Sequence, residues 1–268
     1  MTGPRPSFPG WWHAPAFAVG VALLTFGAAL AMFSAFMFYD DEGYVLISLR
    51  NYAEHGGLYR EVYTQYGPFP FVLYHLLHLG GLPFTHVAGR LVTLAAWTGA
   101  ALACSAVVWQ VTRSFFTTLA VLAGTFVYLW IMVSEPTHPG GLIALLVAVA
   151  AAGGYRFLAR GQDAAWAALV GGVAGALVLT KINVGGFVVL AALAWIGLHH
   201  AAAGVRRWAP FAVAVGAILV PLALMRPMLG IGWVQIYALI FATTAIAAAV
   251  TTARAVAPVA MLSPSIAP

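Results

Sequence analysis

Residues 14–39 read APAFAVGVALLTFGAALAMFSAFMFY, without one charged side chain. A helix of that length, at about 1.5 Å per residue, exceeds a hydrocarbon core of about 30 Å. The stretch predicts a membrane-spanning helix. A cleaved signal peptide is the competing reading, because Ala29-Leu30-Ala31 resembles a cleavage site. The apolar run is too long for a signal core, however, and only Arg5 precedes it, so the expectation is a retained anchor.

The rest of the chain repeats the pattern. Apolar segments follow at about Leu91–Val111, Phe115–Val133, Pro139–Leu158, Ala164–Thr180, Ile182–Leu198, Trp208–Met225 and Trp233–Val250. Short polar or basic stretches separate them, such as Thr112-Arg113-Ser114 and Ala159–Asp163. The expected fold is all-α: a polytopic transmembrane bundle of about eight spanning helices, forming one domain over 1–268. Composition agrees, since 63% hydrophobic and 7% charged side chains in 268 residues exclude a soluble domain or a disordered chain. The single cysteine, Cys104, excludes a disulfide framework and Cys-based zinc sites. The net charge of +5 comes from Lys and Arg scattered between apolar runs, which fits membrane topology and no nucleic-acid partner.

Acidic residues are distributed differently. Five of the seven, Asp40, Asp41, Glu42, Glu54 and Glu61, fall within residues 39–90, together with seven of the ten tyrosines. That stretch reads as a long first outer loop holding two juxtamembrane helices. In the first, Glu42–His55, apolar residues recur at helical spacing, an aspartate is available as cap, and Gly56-Gly57 ends it. The second, Pro68–Leu79, starts on a proline and stops at Gly80-Gly81, and at about 18 Å it is too short to cross. If it lies along the surface with the N-terminus inside, seven of the twelve basic residues are cytoplasmic, which the positive-inside tendency favours. Six of the seven acids then share the outer side.

Several side chains on that side carry candidate chemistry. Asp40-Asp41-Glu42 is able to supply a general base, ligands for a divalent cation such as magnesium or manganese, or simply a helix cap. Lys181, the only lysine, stands between two apolar segments, where it either holds a phosphate as a point charge or snorkels to the interface. Glu135 and His138 occupy a loop restricted by Pro136 and Pro139, as a second acid or base, a metal ligand, or an ordinary polar turn. Arg50 and Arg226 are further cations for an anionic group. The tyrosines, Tyr44 and Tyr66 among them, fit an aromatic interfacial belt or a surface for stacking sugar and isoprenoid groups. His75 and His78 share a helix face, but no third zinc ligand is identifiable. No Gly-rich phosphate loop, nucleophile elbow or HExxH pattern is present.

The order of these motifs resembles the integral-membrane class C (GT-C) glycosyltransferases. A first transmembrane helix leads at once into Asp41-Glu42 and Tyr44, then Arg50-Asn51-Tyr52-Ala53 and a glycine pair. Tyr66-Gly67-Pro68-Phe69-Pro70, Arg90, the Glu135–Pro139 loop and Leu179-Thr180-Lys181 follow, so the resemblance covers roughly residues 15–200. The protein-mannosyltransferase and aminoarabinose-transferase-like group is most similar, and Asp40-Asp41 is also similar to mycobacterial-type arabinofuranosyl and mannosyl transferases.

The resemblance implies inverting transfer of a sugar from a polyprenyl-phosphate donor to a protein, lipid or polysaccharide acceptor at the outer face of the cell membrane. It implies Asp41 as general base with Glu42 as its neighbour, and Lys181 as a phosphate contact. Glu135 and His138 stand where the family usually has an aspartate, and Asp40, Tyr44, Arg50, Tyr66 and Arg226 are the remaining expected substrate contacts. No cofactor is expected beyond a possible divalent cation on Asp40 and Asp41. Family members carry more helices, which raises the expectation of a fragment or a shortened, non-catalytic relative. A lipid-phosphate transporter or flippase is the alternative from a different class.

Overall fold

The computed structural model describes residues 12–35, 41–200 and 203–261. Asp40, Arg5 and Tyr39, all drawn on above, lie outside the described residues. The chain is 82% helical, and among the described residues the only extended pairing is an isolated bridge between Leu58 and Val62. It divides into two compact units, residues 1–186 and 187–268.

In the first unit α1 (His13–Ser34), α4 (His86–Thr112), α5 (Phe115–Leu129) and α6 (Gly140–Leu158) form the frame. α5 runs on into a 3-10 turn, Trp130–Met132, so the continuous element is Phe115–Met132. These four elements are long and apolar enough to cross a membrane. Their large side chains point outward: Leu23 is 66% exposed, Phe116 74% and Ile131 77%. Water would penalise such a surface heavily, whereas lipid tails accept it, so the chain associates with a membrane.

Small residues fill the interior instead. Ala28, Ala96, Ala100, Ala101 and Ala148 are buried beside Met32, Trp97, Leu122, Phe126 and Leu129. Small side chains bring helix backbones close, and van der Waals contact then replaces the hydrophobic drive that lipid does not supply. α4 is the centre, packing on both α5 and α6. Its Gly89 lies where a Cβ would overlap the Thr137 methyl, and Gly141 of α6 sits against the Trp97 indole. Side-chain caps set two helix starts: Thr85 Oγ1 accepts from Ala88 N for α4, and Ser114 Oγ accepts from Thr117 N for α5. Gly161, at φ +65°, turns the chain from α6 into α7 (Asp163–Val178).

The helices expected at 42–55 and 68–79 are found as α2 (Asp41–His55) and α3 (Pro68–Leu79). Gly56 and Gly57, at φ +68° and +69°, end α2 in the left-handed conformation that glycine adopts freely. Tyr59 adopts the same conformation at φ 72°, unusual for so bulky a residue, and its hydroxyl donates to Tyr66 O at 3.1 Å. α2 and α3 enclose a second core of Leu49, Val62, Tyr66, Phe71 and Tyr74. They are thus folded against the bundle, with α2 packing on both α3 and α4.

α8 (Ile182–His200) begins in the first unit and continues in the second, which also holds α9 (Ala203–Leu224) and α10 (Gly232–Met261). A 3-10 turn, Arg226–Met228, joins α9 to α10, and these two helices pack on each other. The all-α expectation therefore holds. Four spanning elements are evident by length and composition, while α7 and the described apolar parts of α8 and α10, Ile182–Ile196 and Gly232–Ala247, are shorter.

Candidate functional site

Asp41 and Glu42 open α2, and consecutive helical residues point about 100° apart. That turn separates their fates. Asp41 is exposed, whereas Glu42 is 7% exposed and faces α4. The Arg90 guanidinium meets Glu42 Oε2 through Nη2 at 2.7 Å and both carboxylate oxygens through Nε at 3.1 Å. Arg90 Nη1 donates to Met32 O at 2.9 Å, and His86 Nδ1 lies 3.0 Å from Glu42 Oε2. Glu42 thus ties α2 to α4 and, through Arg90, to the end of α1. The expectation placed Glu42 beside the general base; its carboxylate is engaged by Arg90 and His86. Arg90 and His86 as its partners were missed, because a contact across 48 residues leaves no local pattern.

Bordering this clamp is a cleft lined by Asp41, Glu42, Tyr44, Val45, Gln65, Tyr66, Glu135 and His138. Three separate segments converge there: the start of α2, the bend before α3, and the loop before α6. Tyr44 donates to Tyr63 O at 2.9 Å, and Gln65 Nε2 donates to the Tyr66 hydroxyl at 3.1 Å. The Tyr66 ring meets the His138 ring edge-on, centroids 5.4 Å apart. Burial, together with the charges of Glu135 and Asp41, pushes the Tyr66 phenol up, against the hydrogen bond from Gln65. Burial pulls His138 down, reinforced by Lys181 and opposed by Glu135 and Asp41. These influences show Lys181 within electrostatic reach of the cleft.

Main-chain bonds hold the residues just before Lys181 against the bend that carries Tyr66. Gly67 N donates to Thr180 O and Phe69 N to Leu179 O, both at 2.9 Å, so the Tyr66-Gly67-Pro68 turn docks on the end of α7. A Cβ on Gly67 would overlap the Leu179 carbonyl, which requires glycine at this position. Lys181 itself is exposed, and its side chain makes no hydrogen bond or ion pair among the described residues.

Other expected site residues go elsewhere. Arg50 is engaged by Glu54 one turn along α2, Nε to Oε1 at 2.8 Å, on an exposed face away from the cleft. Arg226 belongs to the second unit, where it opens the turn before α10. Asp40 lies outside the described residues. Magnesium and manganese require several oxygen ligands. Among the described residues, no three His, Cys, Asp or Glu side chains gather to hold an ion.

A second pocket, unanticipated from the sequence, adjoins the cleft and shares Tyr44, Val45, Tyr66 and His138 with it. Its walls are mainly apolar, from Leu49, Phe71, Val92 and their neighbours, with a few buried hydroxyls. Among these, Thr137 Oγ1 is fully buried without a hydrogen-bond partner among the described residues. Burial pushes the Tyr74 phenol up to about 12.

No family model matches the chain, and neither a curated protein nor a solved structure matches it.

Proposed function

We propose that this chain is a membrane glycosyltransferase that moves a sugar from a polyprenyl-phosphate donor to an acceptor hydroxyl, with inversion. In this reading about eight helices span the bilayer, the N-terminus is cytoplasmic, and α2 and α3 lie at the outer interface. The observation that carries the proposal is the cleft itself. Asp41, Glu135 and His138, far apart in sequence, line one space with a lysine in electrostatic reach.

The acceptor oxygen attacks the anomeric carbon while the carboxylate of Asp41 takes the hydroxyl proton. The bond from that carbon to the phosphate oxygen breaks, and the polyprenyl phosphate leaves with the electron pair. Negative charge grows on the phosphate, where the Lys181 ammonium is worth most in the transition state. Glu135 accepts hydrogen bonds from sugar hydroxyls, and the adjoining apolar cavity receives the first part of the isoprenoid. Glu42, held by Arg90, orients the turn that presents Asp41.

The test is Asp41→Asn in the purified full chain, given a polyprenyl-phosphate sugar and assayed for released polyprenyl phosphate. Loss of at least about 100-fold in rate is expected, the usual scale of a general base. Thermal stability should stay unchanged, because Asp41 is exposed. An unchanged rate removes Asp41 from the mechanism, and uptake of the lipid without release of phosphate favours the transporter reading.

A further inference from the structure

The loop Glu135-Pro136-Thr137-His138-Pro139 is rigid for reasons visible in its bonds. Glu135 N donates to Met132 O, His138 N to Glu135 O at 3.2 Å, and Ile143 N to Pro139 O at 2.9 Å. Pro139 caps α6 at φ −59° and ψ −8° and has no N–H of its own to compete. The next amide, Gly140 N–H, therefore turns back and donates to His138 Nδ1 at 3.0 Å. It is the histidine counterpart of the turn in which an Asn or Asp side chain accepts from the amide two residues on. A Cβ at Gly140 would crowd both His138 Nδ1 and Met132 Sδ, so glycine lets the amide sit this close.

A ring nitrogen that accepts from a backbone N–H carries no proton of its own. The neutral ring then has its hydrogen on Nε2. Protonating the ring would set two N–H groups against each other at 3.0 Å, and burial opposes the charge as well. Nε2 makes no hydrogen bond among the described residues, while the ring borders both the acidic cleft and the apolar cavity. Tyr66, packed edge-on, holds the ring plane.

We infer that His138 is a fixed Nε2–H hydrogen-bond donor for a phosphate-ester oxygen at the junction of cleft and cavity, and takes no part as acid or base. The carboxylates of Asp41 and Glu135 only accept when ionised, so they suit hydroxyls; Lys181 and His138, beside the Tyr66 hydroxyl whose O–H is not used toward Gln65, are donors and suit the anion. The identity of the anion rests on the glycosyl-transfer reading; the tautomer does not.

Two measurements on the detergent-solubilised full chain test this. In ring-15N-histidine spectra, the signals lost in His138→Gln are expected to show an unprotonated Nδ1 and a protonated Nε2. A protonated Nδ1 overturns the inference. Binding of farnesyl phosphate, with farnesol as the control lacking phosphate, reads the contact. A Gln amide nitrogen occupies the place of Nε2 and an Asn nitrogen that of Nδ1. His138→Gln is therefore expected to bind within about threefold of wild type and His138→Asn about tenfold or more weaker, the scale of a hydrogen bond to a charged group. Farnesol binding should not move. Equal farnesyl phosphate affinity in wild type and His138→Asn overturns the phosphate contact. A wild-type chain that shows the Nε2–H tautomer but binds farnesyl phosphate no better than farnesol also overturns the phosphate contact, and the glycosyl-transfer reading with it.

Discussion

Two ion pairs on one helix show what α2 is built to do. At its start, Glu42 and Arg90 are each 7% exposed at the side chain and joined by several hydrogen bonds. Near its end, Arg50 and Glu54 make one bond of 2.8 Å with side chains 67% and 49% exposed. The chemistry is the same and the consequence is opposite. Water or headgroups replace either partner of the outer pair at little cost. The inner pair is shielded from water, so losing one partner leaves a buried charge without its main counter-charge. His86 beside Glu42, or the Met32 carbonyl beside Arg90, compensates in part. The packed face of residues 41–80 fixes geometry; the exposed face is free to vary.

Breaking the inner pair should have the largest effect. Glu42→Ala or Arg90→Ala is expected to lower unfolding free energy by about 3–5 kcal/mol, read from denaturation in detergent. The double change Glu42→Leu with Arg90→Met should recover much of it, because the uncompensated charge is then gone. Failure to recover would mean that the clamp matters for its bonds to Met32 and His86 more than for charge balance. Next comes Gly67→Ala, which forces the turn away from the Leu179 carbonyl at an expected cost of about 1–3 kcal/mol. A silent substitution there would show that the docking yields easily.

A smaller, pH-dependent effect belongs to His138. Its folded form favours the neutral ring, so the unfolded chain takes up the proton first as pH drops below 6.5. Stability present above that value is lost toward lower pH. The melting temperature of wild type should therefore fall more steeply below pH 6.5 than that of His138→Gln. The smallest effect is expected from Glu54→Gln, no measurable change in melting temperature; a clear loss would erase the contrast between the two faces.

Much of the helical plan was legible beforehand. The charge-free run at 14–39, the glycine stops at 56–57 and 80–81, and the proline at 68 each act locally, so their signals survive in the linear chain. α3 falls on its expected bounds, and α2 starts one residue earlier than expected. Asp41, Glu135 and His138, three of the residues that the sequence made available to converge, line one cleft. What separated Asp41 from Glu42 was not legible, because the deciding partner, Arg90, is on another helix. The Arg50–Glu54 pair did have a local signal, four-residue spacing on a helix, yet Arg50 was assigned to substrate. The hydrogen bond that the Gly140 amide donates to His138 Nδ1 was likewise encoded in His138-Pro139-Gly140, a turn whose geometry emerges only with proline's φ in place.

The joint between the Tyr66-Gly67-Pro68 turn and the end of α7 is made by main-chain atoms, through Thr180 O and Leu179 O. Its two hydrogen bonds do not depend on which side chains stand at Phe69, Leu179 or Thr180. They join segments more than a hundred residues apart in the chain. Separating the two segments would carry Tyr66, the edge-on neighbour of the His138 ring, away from the end of α7 and the lysine that follows it, whatever side chains stand at the joint.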